Sequence, residues 1–158
     1  MTSEDCQDGV PGALYRRYLE LAQERPNSDA LVYDREPYRG CRRTWADLMQ
    51  RSEDIARTFL ERSNVGEALR RSREGQTIRC AVLLKDHPDT ISLLLALWKF
   101  NASLILLDPE LGAARRMSVL AHSRASHVVT IDTESEISAV HPPLDRFGAS
   151  AAFTPWSL

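Results

Sequence analysis

Apolar positions along the first sixty residues recur at helical spacing, then at short extended spacing, then at helical spacing again. From Gly12 to Arg25, Leu14, Tyr18, Leu21 and Ala22 fall three or four apart, which predicts a helix that ends at Pro26 and Asn27. "DALVYD", from Asp29, predicts a short strand. "REPYRGCRRT" predicts a second extended piece, with Gly40 as a bend or bulge. The next pattern is a longer helix. Thr44 can cap it, with Asp47 three residues on as the reciprocal partner of a capping box. Trp45, Leu48, Met49, Ser52, Ile55, Ala56, Phe59 and Leu60 make one stripe, while Arg51, Glu53, Asp54 and Arg57 occupy the other face. The pattern fades at Asn64 to Gly66, and a polar connector runs to Gln76.

Beyond the connector the apolar runs become continuous. "IRCAVLL", Ile78 to Leu84, lacks polar alternation and suits a strand buried on both faces of a parallel sheet. "KDHPD" follows, with Pro88 suited to the first turn of a helix. "DTISLLLALWKF" predicts a helix apolar almost all round. "ASLILLD" predicts a second buried strand. "PELGAARRMSVLAHS" predicts a third core helix with Ala113, Met117, Leu120 and Ala121 on its inner side. "HVVTID" predicts a third strand, and "ESEISAV" one more short helix. Strand, helix, strand, helix, strand with short connections argues for right-handed parallel crossovers. The expected fold is α/β: a partial Rossmann-like, three-layer domain with a mostly parallel sheet. Residues 1–11 are expected to be a flexible tail, 12–140 the folded unit, and 141–158 an irregular tail.

Composition narrows the function classes. The chain has 158 residues, enough for one domain that buries about 70% of its unfolded surface. Hydrophobic residues make up 43% and charged residues 27%, with a formal charge of −2, a balance that suggests neither a nucleic-acid nor a membrane partner. The acidic opening "MTSEDCQDG" has no apolar stretch behind it, and no run approaches the ~18 apolar residues of a membrane span, so the cytoplasm is the expected compartment. Arginines cluster in "RRSRE" and in the pairs Arg16/Arg17, Arg42/Arg43 and Arg115/Arg116, each beside acidic residues or on a helix surface, as a solvated face would be.

Candidate chemistry is sparse. Cys6, Cys41 and Cys80 fit no zinc pattern, and Cys80, inside an apolar run, reads as a small buried hydrophobe. His87, His122, His127 and His141 share no metal-ligand spacing, and no G-x-S-x-G nucleophile elbow is present. Among the glycines, Gly9, Gly12, Gly40, Gly66, Gly75, Gly112 and Gly148, no two are spaced as in a phosphate loop. "DPELGAARR" puts a helix start after a strand with Arg115 and Arg116 nearby. It can be an anion site or a capped helix with solvated arginines.

Several segments, in order, resemble the N-terminal part of the adenylate-forming (AMP-binding) enzymes. These are the acyl- and aryl-CoA synthetases, the luciferases and the adenylation domains of nonribosomal peptide synthetases. "LYRRYLELAQERPNSDALVYD" is similar to the opening helix, the "P-x-x-x-A-L" step and the first strand. "RRTWADLMQRSEDIARTFLE" is similar to the "T-Y-x-E-L" motif and its helix, with Trp45 in the aromatic place and Asp47 in the acidic one. "IRCAVLLKDHPDTISLLLALWKFNASLILLDPEL" is similar to the strand, helix and strand of the "L-K-A-G-x-A-Y-x-P-L-D" motif, and "RRMSVLAHSRASHVVT" to "R-x-x-x-x-L-x-D-S-x-A" and the strand after it. The likeness covers about residues 12–131 and is strongest to the peptide synthetase subgroup. Phe100 and Asn101 stand where the family usually has Ala-Gly, and Leu106 where it has Pro. Asn101 can still adopt the left-handed backbone that glycine would supply.

The resemblance implies a ligase that joins a carboxylate to the α-phosphate of ATP with Mg²⁺. Its phosphate loop, "[S/T]-G-[S/T]-T-G-x-P-K-G", falls in the family layout after the last matched strand, and no such segment occurs in these 158 residues. The acyl pocket, the adenine- and ribose-binding segments and the C-terminal catalytic Lys have no matching positions either. No catalytic, cofactor-binding or metal-binding residue is therefore assigned, and no cofactor is expected to bind this chain alone. The expected function is a truncated adenylation domain, inactive by itself. The alternative is a non-catalytic module that complements the missing remainder of an adenylating enzyme or modulates a full-length synthetase. A further possibility is a chain that never accumulates, because "SLILLD" and "HVVTI" are aggregation hazards when exposed.

Overall fold

The computed structural model describes residues 12–61, 78–131 and 137–140, the last four as backbone. In chain order the elements are α1 (Ala13–Glu24), β1 (Asp29–Val32), β2 (Arg42–Thr44), α2 (Trp45–Glu61), β3 (Arg79–Leu83), α3 (Thr90–Lys99), β4 (Ser103–Leu107), α4 (Ala113–Ser123), β5 (His127–Ile131) and β6 (Ile137–Val140). β1 and β2 form an antiparallel hairpin whose turn includes Gly40 at φ +82°, a left-handed conformation that glycine adopts without a Cβ penalty. The other four strands form one sheet in the order β4-β3-β5-β6. β3 is parallel to both β4 and β5, and β6 closes the β5 side antiparallel.

The sheet is sandwiched. Cys80, Val82, Val129 and Ile131 point to one face, where α2 and α3 supply Ile55, Phe59, Leu93 and Leu97. Ala81 and Leu107 point to the other, where α4 supplies Leu120. α1 lies outside α2 and α3, with Tyr15 packed on Met49 and Leu95. The three-layer α/β expectation stands, and β3 is fully enclosed: Cys80, Ala81 and Val82 are each 0% exposed. α2 begins where the capping box places it. Thr44 N–H donates to Asp47 Oδ2 at 3.0 Å, and Asp47 N–H donates back to Thr44 Oγ1 at 3.2 Å. The bonds from Thr44 hold the Asp47 carboxyl below its usual range. Asn101 takes φ 57° just past α3, in the left-handed region, with Ala102 N–H returning to Leu97 O at 3.2 Å.

Five expectations need correction. "ESEISAV" does not form a helix over its described part: Ile137–Val140 is β6, because its backbone finds ladder partners on β5 from Val128 to Ile131. Pro88 lies outside α3, which starts at Thr90 with Asp89 at the N-cap. β4 is the edge of the described sheet rather than an enclosed strand, and Leu106 is 54% exposed. On α4 the inner side is Leu120 with Met117 and Val119 packed beside it, whereas Ala113 and Ala121 are exposed. Arg51 and Glu53 are not on a free outer face of α2, since α1 and α3 pack close enough to use both. The expected tails at 1–11 and 141–158 and the connector up to Gln76 lie outside the described residues.

Candidate functional site

In an open α/β sheet, ligands bind beyond the carboxyl ends of the strands, where neighbouring connections leave to opposite faces. Here that place is the end of β3 and β4, since α3 packs on one face and α4 on the other. Leu84 N–H donates to Leu107 O at 2.9 Å, so the two strands stay paired up to this rim. Lys85 and Asp86 follow β3, and Asp108 follows β4, all three exposed. Thr90 Oγ1 donates to Lys85 O at 2.8 Å, tying the rim to the first turn of α3. Asp108 Oδ1 accepts Glu110 N–H at 2.8 Å, so this carboxylate turns its own chain toward α4.

Behind the rim lies a buried polar cluster. Asp89, its side chain 4% exposed, accepts both Nε and Nη2 of Arg51 on Oδ2, each at 2.8 Å, and Arg43 Nη2 stands 3.8 Å from Oδ1. Asp89 N–H donates to Nδ1 of buried His87 at 3.1 Å, a bond that requires that nitrogen to carry a lone pair. Tyr33 Oη donates to His87 O at 2.6 Å, and the Tyr38 ring meets the His87 ring edge-on at 5.1 Å. Burial, followed by the nearby Asp86 charge, pushes the Tyr33 phenol up to about 12. Three pieces of chain thus meet: the β1–β2 hairpin, α2 and the β3–α3 loop that ends at the α3 N-cap.

This arrangement binds protein to protein. A carboxylate between two guanidiniums is paired, a histidine nitrogen that accepts a backbone N–H is committed, and a phenol at about 12 stays protonated at neutral pH. A second tie repeats the theme at the other end of α3. Glu53 accepts Tyr15 Oη at 3.1 Å and pairs with Lys99, and burial together with the Glu53 charge raises the Tyr15 phenol.

The sequence candidates are scattered. His87 sits at the carboxyl rim, His127 at the opposite end of the sheet, and His122 in the last turn of α4. His141 and Cys6 lie outside the described residues. Cys80 is walled in, and burial raises its thiol to about 12. Arg115 is exposed and Arg116 half-buried in the first turn of α4, after an N-cap at Gly112 that makes no side-chain bond. Among the described residues no group of three or more His, Cys, Asp or Glu could hold a metal. The β3–α3 loop also does not fit a triphosphate: Lys85 to Asp89 contains no glycine, and Pro88 removes one N–H from any backbone cradle. Among the described residues no helix is long and apolar enough to cross a membrane.

The Asp89 cluster was not legible as a unit in the sequence. One signal was available on α2. Arg51 is three residues after Leu48 and four before Ile55, and Glu53 is four after Met49 and three before Ala56, so both flank the apolar stripe rather than oppose it. Tyr33 and Tyr38 gave no such signal, because only the hairpin's docking brings them to His87.

Comparisons with known proteins point one way. The AMP-binding enzyme family matches over residues 19–151. Among solved structures, the chain is similar to NpsA-ThdA, an artificially fused adenylation–PCP di-domain of a nonribosomal peptide synthetase from Klebsiella oxytoca. The identity is 18% and the TM-score 0.59, covering 80% of this chain and 21% of that one. It is also similar to the N-terminal subdomain of NpsA from the same organism, at 18% identity and TM-score 0.58, covering 78% and 28%. A third similar structure is a putative long-chain-fatty-acid CoA ligase from Rhodopseudomonas palustris, at 25% identity and TM-score 0.56, covering 76% and 27%. No curated protein matches. The chain spans between about a fifth and just over a quarter of the length of these solved structures.

Proposed function

The chain belongs to the AMP-binding enzyme family, and from that premise we propose that it supplies the N-terminal scaffold of an ATP-dependent acid ligase and does not adenylate on its own. Its three-layer α/β structure is that of the N-terminal subdomain of the adenylate-forming fold. The observation that carries the reading is the engagement of Asp89, Arg51, His87 and Tyr33 with one another directly behind the sheet's carboxyl rim. These are the groups best placed for chemistry, and they hold the hairpin, α2 and α3 in register.

A complete domain would use ATP and Mg²⁺ to activate an amino or aryl acid. The scaffold's part is to hold the β3 and β4 ends in fixed positions while residues beyond this chain bind the nucleotide and acid. The cytoplasm, where ATP is available, is the compartment proposed with this reading. The test is ATP–pyrophosphate exchange by the purified chain over a panel of amino, aryl and fatty acids. No exchange above blank is expected with any of them, and robust exchange with one acid overturns the proposal. A second reading, a binding module acting in trans, is favoured by the β4 edge, which pairs on one side alone among the described residues.

A further inference from the structure

His87 does for α3 what an N-cap residue ordinarily does. Asp89 occupies the N-cap but makes no side-chain cap bond, and its carboxylate is turned to Arg51. The donors at the start of the helix go to His87 instead. Asp89 N–H donates to the ring at Nδ1, 3.1 Å away, and Thr90 N–H donates to the His87 carbonyl at 3.0 Å. The same carbonyl accepts Tyr33 Oη at 2.6 Å, so one residue holds both the first turn of α3 and the β1–β2 hairpin. A backbone amide can only donate, and this fixes the chemistry of the ring. Nδ1 must carry a lone pair, which leaves the proton of the neutral ring on Nε2. A second proton can enter only at Nδ1, where it would face the Asp89 N–H.

We propose that protonation of His87 at Nδ1 unlatches the β1–β2 hairpin from the start of α3, so that this part of the fold loosens in mild acid. His87 is 4% exposed, and burial favours the neutral ring. Among the described residues, the charged and titratable groups around it come from three elements. They are Lys85, Asp86 and Asp89 on its own loop, Tyr33, Tyr38, Cys41 and Arg43 on the hairpin, and Arg51 on α2. Asp89 is shared between two guanidiniums, and Asp86 and Lys85 are exposed with opposite charges, so these surroundings offer an imidazolium no net negative charge. A released ring protonates as pH falls through the ordinary histidine value of about 6.5, whereas the latched ring must stay neutral to keep its bond. The unlatched state therefore binds more protons in acid. The latch is complete above about pH 6.5 and is lost progressively below it. This goes beyond the proposed function and holds whether or not the chain adenylates.

The test uses the full chain. Long-range nitrogen–proton NMR correlations read the His87 ring. Amide hydrogen exchange reads the hairpin through Gly40 N–H, which donates to Tyr33 O, and Tyr33 N–H, which donates to Cys41 O. At about pH 7.5 the ring is expected to be neutral with its proton on Nε2. Between about pH 7.5 and about pH 5, the two hairpin amides should exchange about tenfold faster or more once the intrinsic effect of pH is removed, while β3 amides do not change. His87→Asn separates the ring from its surroundings, because the amide oxygen of Asn can accept the Asp89 N–H in an Asx turn and does not titrate. The acid response should shrink to less than about twofold in that variant. His87→Ala opens the latch at every pH: its hairpin amides should already exchange about tenfold faster than the parent's at about pH 7.5, with no further response to acid. Should His87→Ala fail to fold, the ring spectrum and His87→Asn decide. Four results overturn the inference: a proton on Nδ1 at about pH 7.5, hairpin exchange in the parent that ignores pH, equal acceleration in β3, or a full acid response in His87→Asn, which assigns the response to another group.

Discussion

β3 and β4 are neighbours of equal length and similar sequence, and the structure treats them differently. β3 is enclosed by strands on both sides and helices on both faces, and its central residues are 0% exposed. β4 shares its partner, its direction and its aliphatic run, yet Leu106 stands half in water. The difference teaches what a hydrophobic run reports. It says that both faces are meant to be covered, and it says nothing about which edge hydrogen bonds are filled. Around β3 the covering is also pinned: Asp89 ties α2 to the start of α3, and Glu53 ties α1 and α2 to its end. No comparable tie among the described residues reaches β4.

The largest expected effect separates the two regions by packing. Phe59→Ala removes a 1%-exposed ring from the face that α2 and α3 lay on β3, and should cost about 3–5 kcal/mol in urea unfolding. Leu106→Ala should stay within about 0.5 kcal/mol of the parent. Equal losses would erase the contrast.

Next comes the polar tie. Asp89→Ala strands Arg51 beside a buried gap and should cost about 3 kcal/mol. Asp29→Ala breaks the exposed pair with Arg42 and should cost less than about 1 kcal/mol by the same measurement. A small loss at Asp89 would mean that the hairpin and α3 are held by apolar contacts alone.

Alkaline pH probes the enclosed side without mutation. Burial raises Cys80 from 9.0 to about 12, and burial with the Asp86 charge raises Tyr33 from 10.0 to about 12. Above pH 9 the unfolded chain releases these protons while the folded chain keeps them, so the folded state binds more protons and stability falls as pH rises. Their contribution is complete below pH 9 and is lost progressively toward pH 12. Urea midpoints should decline across that window, and Cys80→Ala should flatten the decline. Unchanged slope in the variant would place the titration elsewhere.

The smallest effect is at the turn between the two regions. Asn101 holds φ 57° where α3 gives way to β4. Asn101→Gly should be neutral or stabilising by about 0.5 kcal/mol, and Asn101→Ala destabilising by about 1 kcal/mol, both read from thermal melts.

Much of the scaffold was legible because short-range physics decides it. The Thr44/Asp47 box set the start of α2, the aliphatic runs marked β3, β4 and β5, and Asn101 at a helix end signalled a left-handed residue. What failed depended on partners far away in sequence. Ile137–Val140 has no helix or strand preference strong enough to overrule the ladder that β5 offers. Arg43, Arg51, His87 and Asp89 looked like a solvated pair, a helix surface and a loop until the hairpin docked against α3. Leu106 looked buried because periodicity reports faces and not edges.

The most direct test of the contrast between the two strands is hydrogen exchange on the isolated chain in dilute solution, resolved to β3 and β4. β3 amides should exchange only with global unfolding, and amides around Leu106 about a hundredfold faster or more. Equal protection of the two strands would contradict the account, because it would mean that the β4 edge is already closed within the chain.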